Sequence, residues 1–110
     1  MIKRRFRNLT VKRIDDALSE YSIVKNYLIS CKGEYRPEAY ELHYNPTRID
    51  NKEDFHKTLL HEISHVVDDN YETNLNEIQI EDIAQRSYKI KVVRNHIEGL
   101  FNYEELCDRL

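Results

Sequence analysis

Val11, Ile14, Ala17, Leu18 and Tyr21 recur at the spacing of an amphipathic helix, with Thr10 placed to cap its start. Ahead of them, Ile2 to Leu9 mixes charged and apolar positions and reads as a short strand. Beyond Tyr21 the pattern changes. Tyr21 to Cys31 (YSIVKNYLISC) is rich in β-branched and aromatic residues, and Lys32-Gly33 offers a turn. In Glu38 to Ile49, Tyr40, Leu42 and Tyr44 alternate with polar positions as in a half-buried strand. Pro46 closes that strand, because it has no N–H to give a sheet interior.

Helical periodicity then takes over. Asp50 with Glu53 three residues on predicts a capped helix start, and Asp68-Asp69-Asn70 its polar end. Tyr71 to Leu75 reads as a loop, Asn76 to about Val93 as a second helix, and Asn95-His96 as a break. Asn102 followed by Glu105 predicts a cap for a last short helix ending at Leu110. The predicted order is strand, helix, two strands and three helices, an α+β chain forming one domain over residues 1–110. Only two glycines and two prolines occur, too few for a turn-rich sandwich or barrel.

Charge refines this picture without redirecting it. The net charge of −3 conceals a basic start, in which Lys3, Arg4, Arg5, Arg7, Lys12 and Arg13 all precede the first acid, Asp15. Such an arm can touch nucleic acid. Without interleaved aromatics or a nucleic-acid motif, it reads better as the solvated edge of a strand. No stretch approaches the ~20 apolar residues of a membrane span, and MIKRRFRNLT lacks the apolar run of a signal peptide, so a cytoplasmic, intracellular location is expected. Cys31 and Cys107 are far apart and form no Cys-x-x-Cys pair; both are expected to be reduced thiols.

The candidate chemistry sits in Thr58 to Val67, TLLHEISHVV. On a wheel of ~100° per residue, Phe55, Leu59, Leu60, Ile63, Val66 and Val67 fall within an arc of roughly 140°. His61 and His65 lie ~40° apart and roughly opposite the centre of that arc, so the core does not need them. Histidines four apart on a helix can bind one ion, and Glu62 beside the first is placed to take a proton from a metal-bound water. A third protein ligand is needed. A third histidine is excluded, since Asp68 and Tyr71 stand where that pattern requires glycine and histidine. A carboxylate on the next helix is the alternative. His65 lies ~6 Å before a helix end at Asp69, and Glu81 ~7.5 Å after a start at Asn76. That match favours Glu81, with Glu77 as the other candidate.

HEISH followed by Glu81-x-x-Ala84-Gln85 resembles the compact gluzincin-type zinc peptidases, in particular the small zincin-like proteins of phages and bacteria related to the ImmA/IrrE group. Thr58-Leu59-Leu60 before the motif and EDIAQRSY (Glu81 to Tyr88) are also similar to that group, and the likeness covers about Tyr40 to Tyr88. It implies a zincin-like fold, in which a small, mostly antiparallel sheet packs on the active-site helix. It also implies Zn²⁺ held by His61, His65 and Glu81, with Glu62 as catalytic base and then acid, acting on a peptide or protein substrate. Gln85 departs from the family, which has Asn or Asp there to orient a ligand histidine. By the same analogy Tyr40 to Tyr44 is the strand along which substrate pairs, with His43 and Tyr44 beside it. Tyr71, Tyr88 and His96 are the candidates for stabilising the oxyanion. His56, five residues before His61, faces elsewhere on the helix. Three further readings stand beside this one: a non-catalytic zinc-containing regulator, possibly of phage origin, an enzyme whose Asn102 to Leu110 segment folds over its own cleft, and a chain that binds no metal at all.

Overall fold

The computed structural model describes residues 6–107. Residues 2–5 of the first expected strand lie outside that range, and Phe6 to Leu9 form no strand. They plug the core instead: Phe6 and Leu9 are buried, and the Leu9 N–H donates to Ser87 Oγ at 2.8 Å. The basic residues therefore do not mark a sheet edge at Arg7, and Lys3, Arg4 and Arg5 lie outside the described residues.

The α1 helix (Val11–Glu20) starts at Thr10, whose hydroxyl accepts from the Arg13 N–H. Three short strands follow, β1 (Ser22–Lys25), β2 (Gly33–Arg36) and β3 (Glu41–Tyr44), in the spatial order β1-β3-β2. The sheet is mixed, which corrects the mostly antiparallel expectation: β2 runs antiparallel to β3, and β1 parallel to it. Topology gives the reason. The long connection after β1 lets β2 skip one position. A 3₁₀ turn at Pro37–Ala39 and left-handed Tyr40 (φ 53°) then send β3 back into the gap. Tyr40 thus makes the turn, and the paired strand begins one residue later.

The central helix, α2 (Lys52–Tyr71), is capped by Asn51, which accepts from the Asp54 N–H at 2.9 Å, one residue later than expected. Phe55, Leu59, Leu60, Ile63, Val66 and Val67 are all buried, as their arc predicts. Each contributes about 1.5–3 kcal/mol by leaving water. The next helix, α3 (Glu77–Lys89), opens with a reciprocal capping box between Asn76 and Gln79. It stops at Ile90, and α4 (Lys91–Leu100) runs straight through Asn95-His96, where a break was expected. Phase explains the break. Continuing the buried series Ile80, Ile83, Ala84, Ser87 would bring Lys91 and Arg94 inward, whereas a bend at Ile90 buries Val93 and Ile97. Asn102 caps the last helix, α5 (Tyr103–Leu106), by accepting from the Glu105 N–H. The result is an α+β fold of five helices and one mixed three-stranded sheet among the described residues. None of these helices is long and apolar enough to cross a membrane. Cys31 is exposed and Cys107 buried.

Asp68 sets how α3 lies against α2. Its Oδ1 accepts from Thr73 Oγ1 at 2.6 Å and from the Leu75 N–H at 3.0 Å, and its backbone carbonyl accepts from the Thr73 N–H at 3.1 Å. The loop is folded back beside the last turn of α2, so α3 begins level with Asp68 rather than beyond Tyr71. Removing this buried acceptor strands both donors. Asp68→Ala should cost about 2–3 kcal/mol in urea unfolding, while Asp68→Asn, which keeps an acceptor oxygen, should cost markedly less.

Candidate metal centre

The polar face of α2 is covered, not solvated. The α3 helix lies along it, with Glu81 against His61 and Glu77 against His65. The two imidazoles are only about a fifth exposed, at 18% and 19%, and stand edge to face with centroids 5.1 Å apart. Glu77 reaches both rings. Its Oε2 lies 3.1 Å from His61 Nε2 and its Oε1 3.0 Å from His65 Nε2. One donor atom from each of His61, His65 and Glu77 falls within 4.8 Å of the others, a spacing able to hold a metal ion. Glu81 sits on the other side of His61, with Oε2 2.7 Å from Nδ1, and its Oε1 accepts from Gln85 Nε2 at 2.8 Å.

The level-matching that favoured Glu81 thus finds Glu77 level with His65. One feature of the turn is responsible. Although α2 extends to Tyr71, which alone would carry the match deeper into α3, Asp68 folds the following loop back beside the helix and brings Glu77 level instead. Gln85 does not touch a histidine directly but steadies the carboxylate that does.

Glu62 is 6% exposed, and its carboxyl packs beneath the first residue of β2. A Cβ on Gly33 would lie 2.7 Å from Glu62 Oε2 and 2.8 Å from Thr58 Cγ2, so a larger residue there forces Glu62 and Thr58 or the strand to move. Burial above all, against the opposing pull of His61 and with smaller help from Glu77, Glu34 and Glu81, brings the Glu62 carboxyl up to about 7. Burial likewise lowers His65 from its ordinary value, against the pull of Glu77. That favours the neutral imidazole a metal requires. Glu62, His61, Glu81 and Gln85 line a cavity of about 320 Å³ whose other wall includes Cys31 and Lys57.

Other expected site residues are used elsewhere. His43 is buried between Asn26 (3.0 Å) and Glu41 (2.9 Å), and Tyr44 donates its hydroxyl to the Leu106 carbonyl. Because β3 is the middle strand, Tyr40 to Tyr44 cannot present a free edge; β2 holds that position, beside α2. Tyr71 lies under Arg13, Tyr88 meets Lys57 and Arg94, and His96 pairs with Asp15 at 2.6 Å. His56 Nε2 bonds the Phe101 carbonyl at 2.7 Å, a packing role consistent with its place on the wheel. The described part of the tail packs by Tyr103 on Phe55, on the core side of α2, so Asn102 to Cys107 does not cover the cleft; residues 108–110 lie outside the described range. Sequence reading missed Tyr35, whose ring stacks on His65 at 5.4 Å and 4°. Its hydroxyl donates to Asp69 and meets Tyr21 Oη at 3.2 Å.

Two measurements check this arrangement. Gly33→Ala should destabilise the chain by roughly 1–3 kcal/mol, and much less in a Glu62→Ala, Thr58→Ser background, where both obstructing atoms are gone. In chelator, the raised Glu62 carboxyl works against folding as pH rises. Below 4.5 both states hold the proton; between 4.5 and about 7 the folded state alone must retain it, and stability falls. Glu62→Gln should therefore be more stable than the parent by roughly 3 kcal/mol at pH 8, the gap closing toward pH 4 in parallel urea titrations. Comparisons with protein-family models, curated proteins and solved structures give no match to the chain.

Proposed function

We propose that this chain is a zincin-like, zinc-dependent peptidase, with the ion held by His61, His65 and a glutamate of α3, and with Glu62 moving the proton. The observation that carries the reading is the pairing of a convergent His–His–Glu donor set with a separate, buried carboxylate that shares a cavity with His61. A structural metal site has no use for Glu62, and a packed core would not place a carboxylate there. Both the imidazole donors and the carboxylate suit zinc. When bound, zinc would act as a Lewis acid and bring the pKa of its water down toward ~7.

The chain's own residues supply the rest. A carboxyl raised to about 7 can accept a proton at neutral pH and return it to a leaving amine. Low exposure of Glu62, His61 and His65 limits competition from bulk water. An extended peptide has a free strand to pair with in β2, the edge strand whose Gly33 abuts Glu62.

Purified without added metal, the protein should carry one zinc per chain by elemental analysis, and lose it in His61→Ala and His65→Ala. Glu62→Gln should keep the zinc and reduce cleavage of an unfolded protein such as reduced casein by at least ~100-fold. Absence of zinc would sink the reading. Bound zinc with no cleavage by the parent chain would point to the non-catalytic, regulatory alternative.

A further inference from the structure

Resting on that metal-site reading, we propose that Glu77 is the third protein ligand, and that Glu81, steadied by Gln85, positions His61 without binding the ion. This assigns the two α3 carboxylates opposite roles from those their sequence pattern implies.

Hydrogen-bond chemistry supports the division. Carboxylates lie against both nitrogens of His61, at 2.7 Å from Nδ1 and 3.1 Å from Nε2. A neutral imidazole carries one N–H and one lone pair. Donating Nδ1–H to Glu81 leaves the Nε2 lone pair facing the lone pairs of Glu77. Those groups repel unless a proton, which makes the ring an imidazolium, or a metal ion lies between them. The same Glu77 carboxylate turns its second oxygen to His65 Nε2 at 3.0 Å. Around a tetrahedral zinc with ~2 Å bonds, donor atoms stand about 3.3 Å apart, close to these separations. Glu77 is thus already where a ligand must be.

Glu81 is committed in the other direction. One oxygen takes the His61 Nδ1 proton and the other takes the Gln85 amide at 2.8 Å. Turning it toward the ion would break both bonds. Together Gln85, Glu81 and His61 form a chain that fixes the ring and its tautomer, the task outer groups perform at histidine-bound metals. His65 has its own support in the Tyr35 ring stacked on it, which is anchored through its hydroxyl to Tyr21 and Asp69.

The test uses the full chain stripped of metal, with Zn²⁺ affinity measured by chelator competition and the visible spectrum recorded after loading Co²⁺. Glu77 and Glu81 side chains are 71% and 50% exposed, so Glu77→Gln and Glu81→Gln should fold, as far-UV circular dichroism will verify. Glu77→Gln should weaken Zn²⁺ binding by more than 100-fold and alter the Co²⁺ bands, because a donor is lost. Glu81→Gln and Gln85→Ala should weaken binding by about 10–100-fold and leave the Co²⁺ bands in place. The reverse pattern, with the spectrum altered by Glu81→Gln and unchanged by Glu77→Gln, overturns the assignment while keeping the metal site. A parent chain that takes up neither ion overturns both this assignment and the functional reading.

Discussion

The fold turns on a helix with almost no solvated side. One arc of α2 is apolar and buried, and its opposite, polar face lies under α3, so every polar group on that face needs a partner. Thr58 and Ser64 return their hydroxyls to the carbonyls of Asp54 and Leu60, each at 2.7 Å. Asp68 gathers the loop, and the two histidines meet Glu77 and Glu81. The seam between α2 and α3 is therefore polar, geometrically specified and dependent on register. An apolar seam would tolerate sliding by a turn; this one would exchange Glu77 for Glu81 at His65 and strand the donors on Asp68.

Much of this was readable from the chain, and the failures have physical causes. The apolar arc of α2 and the caps at Thr10, Asn76 and Asn102 follow from local periodicity and local hydrogen bonding, so the structure returns them nearly unchanged. The wheel also placed His61 and His65 away from the core, and His56 away from both. What sequence could not supply was anything fixed by two segments meeting. The place of β3 between β1 and β2 depends on how far the connections reach, so the strand offered for substrate pairing proved to be the enclosed one. The Glu77 register depends on Asp68 seizing residues five and seven positions on. The bend at Ile90 was an intermediate case. Lys91 at the next inward position of α3 signals it, ahead of the expected end at Val93.

Glu62 is the one member of the polar face whose burial is poorly compensated. The other buried polar groups on that face have hydrogen bonds, and elsewhere on α2 His56 Nδ1 lacks one; Glu62 has a glycine against its oxygen and three acids raising its pKa. In a chain whose remaining choices agree with its fold, a group that opposes folding at neutral pH stands out, and such exceptions concentrate where function sets the terms. Gly33 sharpens the point. A larger residue would displace the carboxylate and Thr58 or open β2 from α2, so the glycine exists in relation to Glu62 and Thr58 rather than to any turn requirement of its own.

His56 provides the internal contrast. It lies on the same helix, is fully buried, and has a ring nitrogen 2.7 Å from a carbonyl, yet its neighbours are Phe55 and the Phe101 backbone. No carboxylate converges on it from the hydrogen bonds that hold it, and the tail it ties down is part of the core. His61 and His65 differ in having acids brought to them by a separate element, at distances set by a loop built around Asp68. Burial alone makes a histidine structural. Burial together with lone pairs from another helix aimed at the same point makes it a candidate site, and the seam that produces this convergence is the feature that sets α3 on α2.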